Sequence, residues 1–94
     1  MLNLKKRAHV LISGKVQRVY FRGYTKNEAQ KHDLKGWVRN LSDGRVEAVF
    51  EGENDEILKL IKKIGVGPSH AEVENLNISW ENFKGEFADF QIYY

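Results

Sequence analysis

Apolar positions along the chain fall into two recurring patterns, one of period two and one of helical period. Ala8–Ser13 reads Ala-His-Val-Leu-Ile-Ser, β-branched and almost continuously apolar, the signature of a buried strand. A loop opens at Gly14. Beyond it, Phe21, Tyr24 and Ala29, with Thr25 between, are spaced for a helix over Phe21–Lys31. Asp33 stands where a helix end often takes a left-handed residue, which Asp tolerates better than most. Lys35–Asn40, with Trp37 between Gly36 and Val38, predicts a second strand. Arg45–Glu51 predicts a third, with Val46, Ala48 and Phe50 set against Arg45, Glu47 and Glu51. Asp43-Gly44 between them is a hairpin signal. The second helix carries Ile57, Leu60, Ile61 and Ile64 on one stripe, with Asn54 or Asp55 as its cap. Val73–Trp80 and Asp89–Tyr94 are the last strands, alternating Leu76, Ile78, Trp80 and Phe90, Ile92, Tyr94.

The predicted order is βαββαβ with one additional C-terminal strand. Such an order closes into an antiparallel sheet with two helices on one face, an α+β, ferredoxin-like α/β sandwich. No repeat or linker interrupts the chain, and the single proline, Pro68, lies in the loop Gly65–Ser69. The expectation is one domain over residues 1–94, with residues 1–6 as a flexible N-terminal segment.

Composition narrows the chemistry. The 94 residues include no cysteine, which removes disulfides, zinc–cysteine sites, iron–sulfur clusters and thiol nucleophiles and suits a cytoplasmic setting. No apolar run approaches the roughly 18–20 residues that cross a bilayer, and the charged start Lys5-Lys6-Arg7 is no signal peptide. A net charge of +2 does not mark a nucleic-acid binder. Neither a phosphate-loop motif ending in Gly-Lys-Ser/Thr nor a Gly-x-Gly-x-x-Gly is present. His9, His32 and His70 do not fall at metal-ligand spacings, so no metal and no cofactor are expected. His9 reads as a structural strand residue and His32 as a helix-end residue favourable to the dipole.

One segment stands out. Gly14-Lys15-Val16-Gln17-Arg18-Val19-Tyr20-Phe21-Arg22 joins a buried strand to a helix start. Successive N–H groups there can converge on an anion, helped by the free N–H groups and positive end of the helix. Arg22 in the first turn could reach over the same cavity with paired planar donors. From the residues alone, a surface arginine beside an ordinary turn is the simpler reading. Asn40 likewise closes a strand before a turn, where Asn is favoured for local hydrogen bonds.

Gly-x-Val-Gln-x-Val-x-Phe-Arg at 14–22, then Gly36-Trp37-Val38-Arg39-Asn40 and Asp43-Gly44-Arg45-Val46-Glu47, resembles the acylphosphatase family. The resemblance runs from Ala8 to Tyr94 and includes Glu28-Ala29, Glu51-Gly52 and the ending Phe90-Gln91-Ile92-Tyr93-Tyr94. It implies a ferredoxin-like enzyme that hydrolyses the carboxyl–phosphate bond of acyl phosphates, with neither metal nor covalent intermediate. It also implies that Arg22 binds phosphate, that Asn40 orients the attacking water, and that the backbone of Gln17, Arg18, Val19, Tyr20 and Phe21 forms the cradle. The expected partners are a small acyl phosphate and inorganic phosphate, with no nucleic acid and no membrane, and the expected state is a monomer.

The chain departs from the family where glycine is usual at Arg18, often at Asp33, and where arginine is frequent at Tyr93. A positive φ at position 18 would cost Arg roughly 1–2 kcal/mol. Two alternatives follow. One is a non-catalytic phosphate-binding relative. The other is a ferredoxin-like RNA-binding module stacking bases on Trp37, Phe50, Trp80 and Phe90. No side chain identifies the acyl group.

Overall fold

The computed structural model describes residues 4–94. It contains β1 (Lys5–Lys15), α1 (Phe21–Lys31), β2 (Lys35–Asn40), β3 (Val46–Glu53), α2 (Asn54–Val66), β4 (Glu72–Asn82) and β5 (Phe90–Tyr93). One sheet holds all five strands in the order β4-β1-β3-β2-β5. Three pairings are antiparallel, as expected. The fourth, β2 with β5, is parallel, so the sheet is mixed. Periodicity reports which face a residue takes, not which neighbour its strand finds, so it could not show this pairing. Of the segment 1–6, residues 1–3 lie outside the described residues. Lys5 and Lys6 form the first rungs of β1, opposite Glu53 and Gly52.

Alternation sorts the two sheet faces. Ala8, Val10 and Ile12 of β1 pair with Phe50, Ala48 and Val46 of β3, and all six are buried beneath the helices. Val38 and Phe90 join them from β2 and β5, while α1 contributes Phe21 and Ala29 and α2 contributes Ile57, Leu60 and Ile64. The opposite face is polar. There Arg7 binds Glu51, Glu81 and Glu86 at 3.4, 3.0 and 2.6 Å, and His9 Nε2 lies 2.7 Å from Glu47 Oε2.

The four aromatics considered for base stacking do not share a surface. Phe50 and Phe90 stack on each other inside the core, their centroids 5.5 Å apart. Trp37 stacks on Tyr93 on the polar face, while Trp80 is in register with Ala8 on the helix side. Their alternation along different strands sends them to opposite faces, which leaves no stacking platform.

Helix ends follow local chemistry. Asp33 takes a left-handed φ of 55°, and Leu34 N–H and Asp33 N–H bond back to Ala29 O and Gln30 O at 2.9 and 3.2 Å. That double return is a Schellman closure, with Leu34 and Ala29 both in the core. The N-cap position of α2 is Glu53, one residue before Asn54 and two before Asp55, the caps expected; its side chain makes no cap bond, and Asn54 N–H is taken by Leu4 O at 2.8 Å.

Candidate active site

The loop between β1 and α1 is fixed at both ends. Val16 and Phe21 are buried in the core, and Arg18 and Tyr20 between them are exposed. At its entry, Gly14 has φ +121° beside a register shift in the β1–β4 pairing. A Cβ there would collide with Glu72 O, so only glycine lets β4 approach so closely.

Arg18 and Tyr20 both adopt left-handed backbone, with φ of 63° and 65°, whereas Val19 between them does not. Alternating handedness turns successive N–H groups toward a common point, the geometry of an anion nest. A left-handed non-glycine residue costs roughly 1–2 kcal/mol, and here two occur within three positions. Part of that cost is offset locally. The Tyr20 ring lies over Gly23, where a Cβ would collide with it, and Tyr20 Oη accepts a hydrogen bond from Asn27 Nδ2 at 3.2 Å.

Helix α1 begins directly on the nest. Its N-cap, Tyr20, makes no side-chain cap bond, and its first turn holds no acidic residue. Its free N–H groups and positive dipole end therefore face the loop without an internal counter-charge. Arg22, in that first turn, is half-buried. It touches Tyr93 O at 3.5 Å and lies 4.7 Å from the Tyr94 ring centroid, with no carboxylate partner among the described residues.

Asn40 ends β2 in the same alternation as Gly36 and Val38, on the helix side of the sheet. Its side chain makes no hydrogen bond among the described residues, so the turn does not use it. Asp43 does that work instead: its Oδ1 accepts from Arg45 N–H at 3.1 Å and its Oδ2 from Arg45 Nε at 2.8 Å. The Arg45 N–H and guanidinium hold the Asp43 carboxyl below its ordinary range, so Arg45 is occupied within the turn.

A cleft of about 190 Å³ brings Arg18, Arg22 and Asn40 together with Tyr20, Phe21 and Gly23, walled by Val16, Ile92 and Tyr94. No acidic side chain lines it. Of the six residues expected to bind phosphate, Gln17 and Val19 send their side chains elsewhere. Val19 packs on the core. Gln17 Nε2 donates to Leu41 O and Arg45 O at 2.8 and 2.9 Å. This tether was not visible in the sequence. β3 separates β1 from β2 in the sheet, so the loop and Asn40 approach one another across its end. Gln17 spans that gap and ties the loop to Leu41, the residue after Asn40, and to Arg45.

A larger cleft, about 420 Å³, lies at the other end of the strands. There Lys5, Lys31, His32 and Lys35 are interleaved with Asp33, Glu51, Glu53 and Glu56. His32 Nδ1 sits 3.0 Å from Glu56 Oε1, and that contact together with Lys59 holds Glu56 below the usual carboxylate range. No group of three or more His, Asp or Glu side chains suited to a metal occurs among the described residues.

The family model described as acylphosphatase matches residues 8–92. An acylphosphatase of Pyrobaculum calidifontis is 55% identical over 92% of this chain and 79% of its own length. One of Syntrophus aciditrophicus is 52% identical over 97% of this chain and 95% of its own. Among solved structures, an acylphosphatase from Coxiella burnetii superposes with a TM-score of 0.90 at 40% identity, covering 97% of this chain and 94% of its own.

Proposed function

This chain belongs to the acylphosphatase family, and from that premise we propose that the cleft between Arg22 and Asn40 is where it hydrolyses acyl phosphates. The reaction adds water to the phosphorus and releases a carboxylate and inorganic phosphate. The observation that carries the site assignment is the convergence of a nest, an uncapped helix start, an arginine without an acid and an amide without a partner.

The phosphoryl group seats on the N–H groups of residues 17–21 and the guanidinium of Arg22. Charge spreads over its oxygens as the bond to the carboxylate lengthens, and donors already in place stabilise that charge without reorganising. The Asn40 side chain both accepts and donates, so it can hold a water in line with the departing carboxylate. The water's proton passes to a phosphoryl oxygen. The acyl group departs as a stable carboxylate, so the cleft needs no general acid. No step requires a metal. We also take the working unit to be a monomer and its compartment to be the cytoplasm, the second supported by the absence of cysteine. Among the described residues no helix is long and apolar enough to cross a membrane.

The test is hydrolysis of benzoyl phosphate in the presence of a chelator. Arg22→Ala is expected to lower kcat/KM by about 10³-fold or more, with loss of inhibition by inorganic phosphate. Asn40→Ala should lower kcat by about 10²–10³-fold while phosphate still inhibits at nearly the same concentration. Full activity in both variants would overturn the assignment. Light scattering at the mass of a dimer would overturn the monomer.

A further inference from the structure

We propose that Arg18 is a specificity-determining residue that reads a second negative charge on the acyl side of the substrate. The proposal rests on the site assignment above and goes beyond it. Four of the five arginines are engaged. Arg7 binds Glu51, Glu81 and Glu86, Arg39 binds Glu47, Arg45 binds Asp43, and Arg22 lies between Tyr93 O and the Tyr94 ring. Arg18 has no side-chain partner among the described residues, yet it lines the cleft.

Its position separates it from the phosphate. A nest turns its N–H groups inward, so the side chain of a nest residue leaves from the outside of the ring. Accordingly Arg18 lines the cleft yet is exposed, which puts its side chain at the rim, while Arg22 is half-buried. The phosphoryl group occupies the nest, and the part of the substrate that emerges toward the rim is the acyl group. The backbone strengthens the inference. At φ 63°, glycine would hold the same conformation without the strain that Arg carries. A strained residue with a free cation, in a cleft without acids, is suited to a carboxylate or a second phosphate on the acyl moiety.

The experiment compares benzoyl phosphate with 4-carboxybenzoyl phosphate, using the ratio of their kcat/KM values. Effects of a substitution on the nest act on both substrates and cancel in that ratio. Arg18→Gln is expected to lower the ratio about three- to fivefold, the size of one exposed charge pair. Arg18→Lys should retain most of it, and Arg18→Glu should lower it further than Gln does. Raising the salt to about 1 M should shrink the wild-type ratio but not that of Arg18→Gln. Arg18→Gly, whose backbone suits the position, should behave as Arg18→Gln and rules out misfolding as the cause.

An equal ratio in wild type, Arg18→Gln and Arg18→Glu overturns the proposal while leaving the site assignment intact. So does a matched loss on both substrates together with weaker inhibition by inorganic phosphate, which would place Arg18 on the phosphoryl group. A folded wild type that hydrolyses neither substrate overturns the site assignment, and this proposal with it.

Discussion

Each end of the sheet carries a cleft and the start of a helix, and only one of the two is built to take an anion. β1 and β3 are antiparallel, so the helices that follow them begin at opposite ends. At the larger cleft, α2 opens with Asp55 and Glu56 in its own first turn, and the lining alternates acids with bases. The dipole and the lysines there are answered from within. At the smaller cleft, α1 opens with no acid and no cap, and Arg18 and Arg22 face no carboxylate. The difference teaches that unanswered charge marks the site better than volume does.

The largest effect expected from breaking this division is at the well-neutralised end. Glu51 is 3% exposed, and its Oε2 accepts from Arg7 and from Lys84 N–H at 2.7 Å. Arg7→Met leaves that carboxylate buried without its cation and should cost about 3–5 kcal/mol. Urea denaturation should show the loss, while kcat per folded molecule on benzoyl phosphate stays unchanged. A fall in kcat would mean that the two ends are coupled.

Next comes the tether. Gln17→Ala strips the donor from two carbonyls, which should cost about 1–3 kcal/mol of stability. It also frees Asn40 to drift from the nest, and kcat should fall roughly 10–100-fold. A thermal melt paired with benzoyl phosphate kinetics separates the two effects, and an unchanged kcat would reduce Gln17 to a loop staple.

A smaller change is expected at the strained loop. Arg18→Gly removes about 1–2 kcal/mol of left-handed strain but gives back roughly 0.5–1 kcal/mol through glycine's freer unfolded chain. The net is a gain of about 0.5–1 kcal/mol, or about 2–8 °C in Tm for a domain of this size. A lower Tm would show that the side chain supports the fold.

The smallest effect concerns the polar face. Burial works to raise the Glu47 carboxyl, but hydrogen bonds from His9 and Arg39 outweigh it and hold it below the usual range. A depressed carboxylate contributes stability above its unfolded-state pKa and loses it as pH falls through the lower folded value. Glu47→Gln should therefore be less stable at neutral pH by up to about 1 kcal/mol. That gap should close as pH drops below the ordinary carboxylate range. Melts across that range check the sign, and a gap that widens on acidification would contradict it.

Periodicity made much of this legible. The bounds of α1 and β2 were readable because Phe21, Asp33 and the Trp37 alternation mark them. β1 runs further than its apolar stretch because backbone pairing defines it there and burial does not: Lys5 pairs with Glu53 of β3, and Lys15 with Glu72 of β4. The left-handed backbone at Tyr20 was hidden, since a bulky aromatic disfavours it. The only trace was Gly23, whose missing Cβ makes room for the ring. Arg22 and Asn40 stood out through their motifs, but Gln17's tether depends on carbonyls more than twenty positions away. No local pattern carries that information.

β1 lies between β3 and β4, strands that begin at residues 46 and 72. β3 is complete only at residue 53 and β4 only at residue 82, so the earliest strand in the sequence must wait for its neighbours. Each pairing first closes a long loop and is repaid only afterwards. The consequence is temporal. Folding should be slower than that of a helical bundle of the same length, and the anion nest becomes competent only when that closure is complete.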